Sequence, residues 1–256
     1  MLVSCEVRAV PEQELSRIAV FRRMEAAVEQ ITRLLDRHKY LLLGLYSVAY
    51  FWATCYRASR KLFWFDEVVT MYVSRLPDLK AIWGATLTGV DFSSPLMYML
   101  TRWSLNVVPV EEIGARLPAT IGFWIFTLCL FRFVSVRSNT LAGLISLLFP
   151  LATRAYFYAY EARAYGILLA CCGLAVVSWQ YAAEHYGSRI WSLIGIFVGL
   201  AGGLLIHPTA LLMFGPLLLG EMARFAVSRR SDWALWLGNP RSVVADSCVD
   251  LFWCGR

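Results

Sequence analysis

The stretch 117–134, which reads LPATIGFWIFTLCLFRFV, decides the class of fold. It is almost wholly apolar, and its length approaches the roughly 20 residues that a helix needs to cross a bilayer. The chain of 256 residues is 59% hydrophobic and 16% charged, whereas soluble domains are roughly half apolar and a quarter charged. The sequence therefore predicts an all-α polytopic membrane protein.

Other apolar runs extend this prediction along the chain. Five of them approach spanning length and predict further transmembrane helices, which gives about six spans in total. The additional spans are 40–58, 141–157, 166–182, 190–206 and 209–222. Together the spans form a multi-span membrane domain over 39–224, between a cytoplasmic lead-in at 1–38 and a cytoplasmic tail at 225–256.

The lead-in and its charges predict the orientation of the chain. Over 12–38, apolar residues recur at helical spacing among Glu and Arg, which predicts an amphipathic helix on the membrane surface. Seven Lys or Arg residues precede the first span, and this excess predicts a cytoplasmic N-terminus. The net charge of +6 does not indicate nucleic acid, because no basic stripe with interleaved aromatic residues lies outside the apolar runs.

The long first outer loop, 59–116, contains two shorter apolar segments. The segment 95–108 is bounded by prolines and is too short to cross a bilayer, so it predicts a helix lying at the membrane interface. The segment 76–90 predicts a second interfacial helix. Its apolar face consists of Leu79, Ile82, Trp83 and Leu87.

An acidic pair, Asp66-Glu67, follows an aromatic stretch at 63–65 near the outer edge of the first span. Carboxylates are costly so close to a bilayer and often mark function. One of them would take a proton from a hydroxyl or help to bind a cation, and their proximity would raise the pKa of the pair. Alternatively, Asp66 is the N-cap of a helix that begins at Val68, with Glu67 in its first turn. We favour function for Asp66 and leave Glu67 open.

Further candidate residues lie on the same side of the membrane. Asp91 precedes the helix start at Ser94, and it is a candidate to face the site. At the mouth between two spans, Glu161 and Arg163 are candidate substrate-binding residues. Arg163 is a fork-shaped donor suited to phosphate, and the alternative is that it pairs with Glu161 or extends to the membrane interface.

Three more residues lie near the same mouth. Tyr165 follows Arg163 closely, and His207 is a candidate lining residue at a turn between two spans. Arg116, at a span boundary, has the position of an interfacial anchor.

These motifs occur in a recognisable order. They are 65–67 (FDE), 94–98 (SPLMY), 111–119 (EEIGARLPA), 160–165 (YEARAY) and His207. The ordered set, over about 40–222, resembles the N-terminal half of the multi-spanning GT-C glycosyltransferases. The nearest group is the protein-mannosyltransferase-like and aminoarabinose-transferase-like family.

The resemblance implies transfer of a sugar from a polyprenyl-phosphate donor to an acceptor hydroxyl, with inversion, on the extracytoplasmic face of the plasma (inner) membrane. The essential acidic residue of the family's first outer loop maps onto Asp66, which would act as the base. Arg163 would stabilise the departing phosphate. The implied partners are the donor, a lipid, glycan or protein acceptor, and membrane lipids. A divalent metal occurs in some relatives only, so metal dependence stays open.

The chain departs from the family pattern in two respects. Members often have His-Pro-Pro where this chain has Ser93-Ser94-Pro95. Members are usually about twice this long, and the ending from about Asn239 favours a truncated or frameshifted chain. The alternatives to an active enzyme are therefore a non-catalytic remnant of one, or a membrane transport or assembly subunit.

Overall fold

The computed structural model describes residues 12–89, 93–184 and 189–228. Within these ranges every regular element is helical, which confirms the all-α prediction for this part of the chain. The α-helices are α1 (Glu12–Arg60), α2 (Phe65–Ser74), α3 (Leu79–Leu87), α4 (Pro95–Val107), α5 (Glu111–Arg137), α6 (Thr140–Leu148), α7 (Tyr165–Glu184), α8 (Arg189–Ile206) and α9 (Phe214–Ser228). Short 3₁₀ helices occupy Phe149–Ala152, Arg154–Tyr160 and Pro208–Met213.

Within the described residues, three helical stretches are long and apolar enough to cross a membrane, and a bent pair would make a fourth. The three are Glu111–Arg137, Tyr165–Ala183 and Pro208–Ala226. They coincide with the predicted spans 117–134, 166–182 and 209–222. Helix Ile190–Ile206 is apolar but shorter. Helices of this kind are compatible with insertion into a membrane, whereas the total of six spans stays a prediction.

The predicted span 141–157 is not one straight helix. The chain bends by 77° between Thr140–Ala152 and Arg154–Tyr160. Thr153, at the break, has an extended backbone with φ −114° and ψ 172°. Pro150 contributes to the break, because proline has no N–H with which to continue the helical hydrogen bonds.

The predicted lead-in and first span form one continuous helix, α1, of 49 residues. It is not among the candidate spanning helices of the described residues, so the first span stays a prediction. One face of α1 packs on α5, where the Tyr50 hydroxyl donates to the Thr120 carbonyl oxygen at 2.9 Å. The opposite face exposes a row of apolar residues, as a lipid-facing helix does: Leu41, Leu45, Val48, Trp52 and Tyr56.

Glycines let the central helices approach closely. A Cβ atom on Gly122 of α5 would lie 2.6 Å from the backbone of Gly166 on α7, so neither position tolerates a side chain. A Cβ atom on Gly199 of α8 would lie 2.8 Å from the Cβ atom of Ala175 on α7. Small residues at helix crossings are typical of membrane proteins, where close backbone contact drives helix association.

The two helices predicted to be interfacial pack differently. In α3, only Ile82 of the predicted apolar face is buried, while Leu79, Trp83 and Leu87 are exposed. In α4, the N-terminus contacts the end of α8, where the Ser94 N–H donates to the Ile206 carbonyl oxygen at 3.3 Å. The interfacial position of both helices stays a prediction.

The chain reverses direction repeatedly, so that several helix ends meet at one end of the bundle. The C-terminal end of α1 contacts the N-terminal part of α5, where the Arg116 side chain donates to the Lys61 carbonyl oxygen at 2.8 Å. The first turn of α2 contacts the segment before α7, where the Ala162 N–H donates to the Glu67 carboxylate at 2.9 Å. This end of the bundle carries most of the predicted site.

Candidate functional site

The two carboxylates of the acidic pair have opposite environments. Helix α2 begins at Phe65 with Trp64 as its N-cap, so Asp66 and Glu67 both lie in the first turn. The alternative in which Asp66 caps a helix that begins at Val68 is therefore wrong, because the N-cap is Trp64 and the helix begins three residues earlier. Consecutive helical residues point about 100° apart. As a result, the Glu67 side chain is 0% exposed and the Asp66 side chain is 40% exposed.

Glu67 forms a buried two-point ion pair with Arg116. Nε of Arg116 donates to Oε1 of Glu67 at 2.8 Å, and Nη2 donates to Oε2 at 2.8 Å. The remaining donors of the guanidinium bind carbonyl oxygens at the end of α1, those of Ala58, Lys61 and Leu62. All five N–H groups of Arg116 therefore have acceptors. A cation at a helix C-terminus also interacts favourably with the helix dipole.

Lys61 and Glu161 complete this buried cluster. The Lys61 Nζ atom lies 3.2 Å from Oε1 of Glu161 and 3.7 Å from Oε2 of Glu67. It also lies 4.6 Å from the centroid of the Phe157 ring, a cation–π distance. The two cations and two carboxylates of the cluster balance each other. Such compensation is required, because an unpaired buried charge is very costly.

The pKa of Glu67 shifts in the direction opposite to the one expected from the sequence. Burial alone would raise this pKa, but hydrogen bonds from Arg116 and from the Ala162 N–H, with the charge of Lys61 nearby, lower it below its ordinary value. The prediction that the acidic pair raises its pKa is thus wrong for Glu67. A buried carboxylate with its oxygens occupied is not arranged to accept a proton from a substrate.

Asp66 and Arg163 form a second ion pair at the surface of the same region. Nη1 of Arg163 lies 3.1 Å from Oδ2 of Asp66, and the two side chains are 27% and 40% exposed. Nη2 of Arg163 donates to the Tyr165 hydroxyl at 3.3 Å. The guanidinium carbon also lies 4.8 Å from the centroid of the Tyr165 ring. Both charged groups are therefore held in place and reachable from outside.

The expected alternative pairing of Arg163 with Glu161 does not form. Glu161 is buried and pairs with Lys61, whereas Arg163 turns outward to Asp66. Glu161, a predicted substrate-binding residue, therefore belongs to the buried cluster and is much less exposed than Arg163.

Tyr165 links the surface pair to the end of α8. Its ring centroid lies 5.7 Å from that of His207 and 5.0 Å from that of Tyr158. Nδ1 of His207 lies 2.8 Å from the Thr209 hydroxyl. The structure thus brings Asp66, Arg163, Tyr165 and His207 into one continuous row. Asp91 lies outside the described residues.

No group of three or more His, Cys, Asp or Glu side chains that could hold a metal ion occurs within 12–89, 93–184 and 189–228. Asp66 contributes the partly exposed carboxylate of the row, and its described ion-pair partner is Arg163. The residues described at the site therefore do not form a ready metal-binding set.

Lys61 was not predicted as part of the site, and Arg116 was predicted only as an anchor. The available signal was one of charge: a carboxylate in a largely apolar region needs a cationic partner. That signal does not identify the partner, because Glu67 and Arg116 are far apart in sequence and meet only through tertiary packing.

Comparisons with protein-family models, with curated proteins and with solved structures found no match to this chain. The interpretation of the site therefore depends on its geometry and on the ordered sequence motifs.

Proposed function

We propose that this protein is a membrane glycosyltransferase of the GT-C type. It transfers a sugar from a polyprenyl-phosphate donor to an acceptor hydroxyl, with inversion, at the extracytoplasmic face. The observation that carries this proposal is the partly exposed Asp66–Arg163 ion pair beside Tyr165 and His207. A base and a phosphate-binding cation are the two groups that this reaction needs most, because phosphate is already a good leaving group.

In this proposal Asp66 is the base. The acceptor oxygen attacks the anomeric carbon and its proton passes to the Asp66 carboxylate. The bond from the anomeric carbon to the phosphate oxygen breaks, and the phosphate leaves with the electron pair. The exposure of Asp66 supports this role, because a general base must come within hydrogen-bond reach of the hydroxyl.

Arg163 would bind the departing phosphate. Its planar guanidinium presents donors in a fork that matches phosphate oxygens, and its contacts with Tyr165 hold that plane in position. Charge that develops on the leaving phosphate would be stabilised by a donor that needs little rearrangement. Tyr165 and His207 would line the donor site, and Asp91 is a further proposed contact.

The proposed topology has six spans in the plasma membrane, a cytoplasmic N-terminus, and α3 and α4 at the outer interface. Most Lys and Arg residues then fall on the cytoplasmic side. The meeting of the ends of α1, α5 and α8 around the site supports the alternating direction of the helices. The donor lipid would reach the site from the surrounding membrane.

The test is sugar transfer by the purified full chain in liposomes that contain polyprenyl-phosphate sugars. Asp66→Asn should lower the transfer rate by roughly 100-fold or more, the usual contribution of a general base. Glu111→Gln is the matched control, because Glu111 also pairs with an arginine, Arg75, at 2.7 Å on the surface. Wild-type protein that transfers no sugar from any such donor would overturn the enzyme proposal. Equal rates for wild type and Asp66→Asn would remove Asp66 from the site.

A second candidate is a membrane transport or assembly subunit. It is favoured by the bend of 77° between Thr140–Ala152 and Arg154–Tyr160, because broken helices often line substrate paths in transporters. The same liposomes distinguish the candidates. Movement of the lipid-linked sugar across the bilayer without transfer would favour transport, and donor binding with neither activity would favour a non-catalytic remnant.

A further inference from the structure

We propose that Glu67 is a positioning residue for the surface pair formed by Asp66 and Arg163, and that it acts through the N–H of Ala162. The kinetic consequence of this inference rests on the proposed function. Its structural consequence, the ordering of the turn 161–165, does not depend on any enzymatic activity.

The inference comes from the order of residues along two chain segments. Asp66 and Glu67 are neighbours on α2, and Ala162 and Arg163 are neighbours in the turn before α7. Oε1 of Glu67 accepts the Ala162 N–H at 2.9 Å, and one residue outward Oδ2 of Asp66 lies 3.1 Å from Arg163. The inner hydrogen bond therefore joins the same two segments whose outer residues form the exposed pair. The hydrogen bond between Glu67 and the Ala162 N–H therefore limits how far apart Asp66 and Arg163 can move.

The Glu67 carboxylate is itself fixed from three sides. Arg116 holds both oxygens, and Arg116 is held in turn by the carbonyl groups at the end of α1. The Trp64 N–H donates to Oε2 of Glu67 at 3.4 Å, which orients the start of α2. The side chains of Glu67 and Arg116 are both 0% exposed, so water does not compete for these bonds. A fixed acceptor of this kind gives the Ala162 N–H one defined place to bind.

The length of the Glu67 side chain matters as well as its charge. The carboxylate must reach the Arg116 guanidinium and the Ala162 N–H together. Aspartate would keep the negative charge but lacks one methylene group, so its oxygens would not reach both partners from the same backbone position. A role in charge balance alone would tolerate that change, whereas a role in positioning would not.

The first experiment uses Glu67→Asp, with Glu111→Gln as the control variant. Hydrogen exchange of the backbone amides at 161–165 should become at least tenfold faster in Glu67→Asp and stay unchanged in the control, since the Ala162 N–H loses its buried acceptor. The transfer kcat should fall by roughly 10-fold to 100-fold, because small misplacements of reacting groups cost about that much. Unchanged exchange at 161–165 would overturn the proposal.

A second variant keeps the proposal testable if Glu67→Asp does not fold. Replacement of the Ala162 amide by an ester, introduced through the corresponding hydroxy acid, deletes the N–H and leaves the Glu67–Arg116 pair intact. We expect faster exchange of the amides at 163–165 and a lower kcat, with a thermal midpoint close to that of wild type. An ester variant with wild-type exchange and wild-type kcat would contradict the proposal.

The proposed function and the positioning role of Glu67 can be disproved independently. If wild-type protein transfers no sugar while exchange at 161–165 responds to Glu67→Asp, the proposed function fails and the positioning role stands. If transfer depends on Asp66 but neither exchange nor kcat responds to Glu67→Asp, the function stands and Glu67 is limited to charge balance.

Discussion

The carboxylates of the buried Glu67–Arg116 pair and of the partly exposed Asp66–Arg163 pair are adjacent in sequence, yet the two pairs have opposite properties. In the first, every donor of the arginine is bound and both side chains are inaccessible. In the second, both charged groups can be reached from outside. The first turn of α2 thus contributes both to a pair that holds segments together and to a pair that can meet a ligand.

The energies expected for the two pairs differ in the same direction. Breaking a buried ion pair by removal of one partner costs about 3–5 kcal/mol, because the other charge stays buried without compensation. An exposed pair contributes about 0.2–1 kcal/mol. Removal of a charge at the buried pair should therefore lower stability strongly, whereas substitutions at the surface pair should lower activity with little change in stability.

The largest effect is expected for Arg116→Leu. It leaves the buried Glu67 carboxylate with Lys61, at 3.7 Å, as its described cationic partner, and it also removes the donors to the end of α1. We expect a loss of about 3–5 kcal/mol in the free energy of unfolding, measured by denaturant unfolding in detergent. Arg75→Gln, in an exposed pair with Glu111, is the control and should change stability by less than about 1 kcal/mol. Equal effects for the two variants would contradict the distinction between buried and exposed pairs.

A smaller effect is expected at the helix crossing behind both pairs. Gly166→Val would force a side chain against the backbone of α5 at Ala119 and push α7 away. We expect a loss of about 1–3 kcal/mol, as is typical of overpacking, and a displaced turn at 161–165. Gly215→Ala is the control, because a Cβ atom there meets nothing within 4 Å. Wild-type stability of Gly166→Val would show that α5 and α7 do not approach this closely.

The pH dependence of stability separates the two carboxylates further. Because the pKa of Glu67 is lowered on folding, its contribution is fully present above the ordinary pKa of a glutamate. That contribution is lost as the pH falls through the lowered value. Thermal midpoints measured from about pH 7 to about pH 3 should decline less steeply in Glu67→Gln than in wild type. Parallel curves would mean that Glu67 is not ionised differently in the folded state.

The helical class and the three long apolar helices of the described residues could be predicted from sequence, because apolar runs of spanning length allow few other structures. The sequence predicted that Asp66, Arg163, Tyr165 and His207 lie on the same side of the membrane, but it did not predict the contacts that join them in one row. The burial of Glu67 could not be predicted, since it depends on where α2 begins. A start at Phe65 instead of Val68 changes which side chains lie in the first turn and which face the core. The break at Thr153 also escaped prediction, because apolar composition alone does not report a bend.

The most direct test of the central claim measures sugar transfer and thermal stability together for Asp66→Asn and wild type. The account predicts a transfer rate lower by roughly 100-fold or more, with a change in stability of less than about 1 kcal/mol. An Asp66→Asn protein that is as stable as wild type and transfers sugar at the wild-type rate would contradict the claim that the surface pair is the active site.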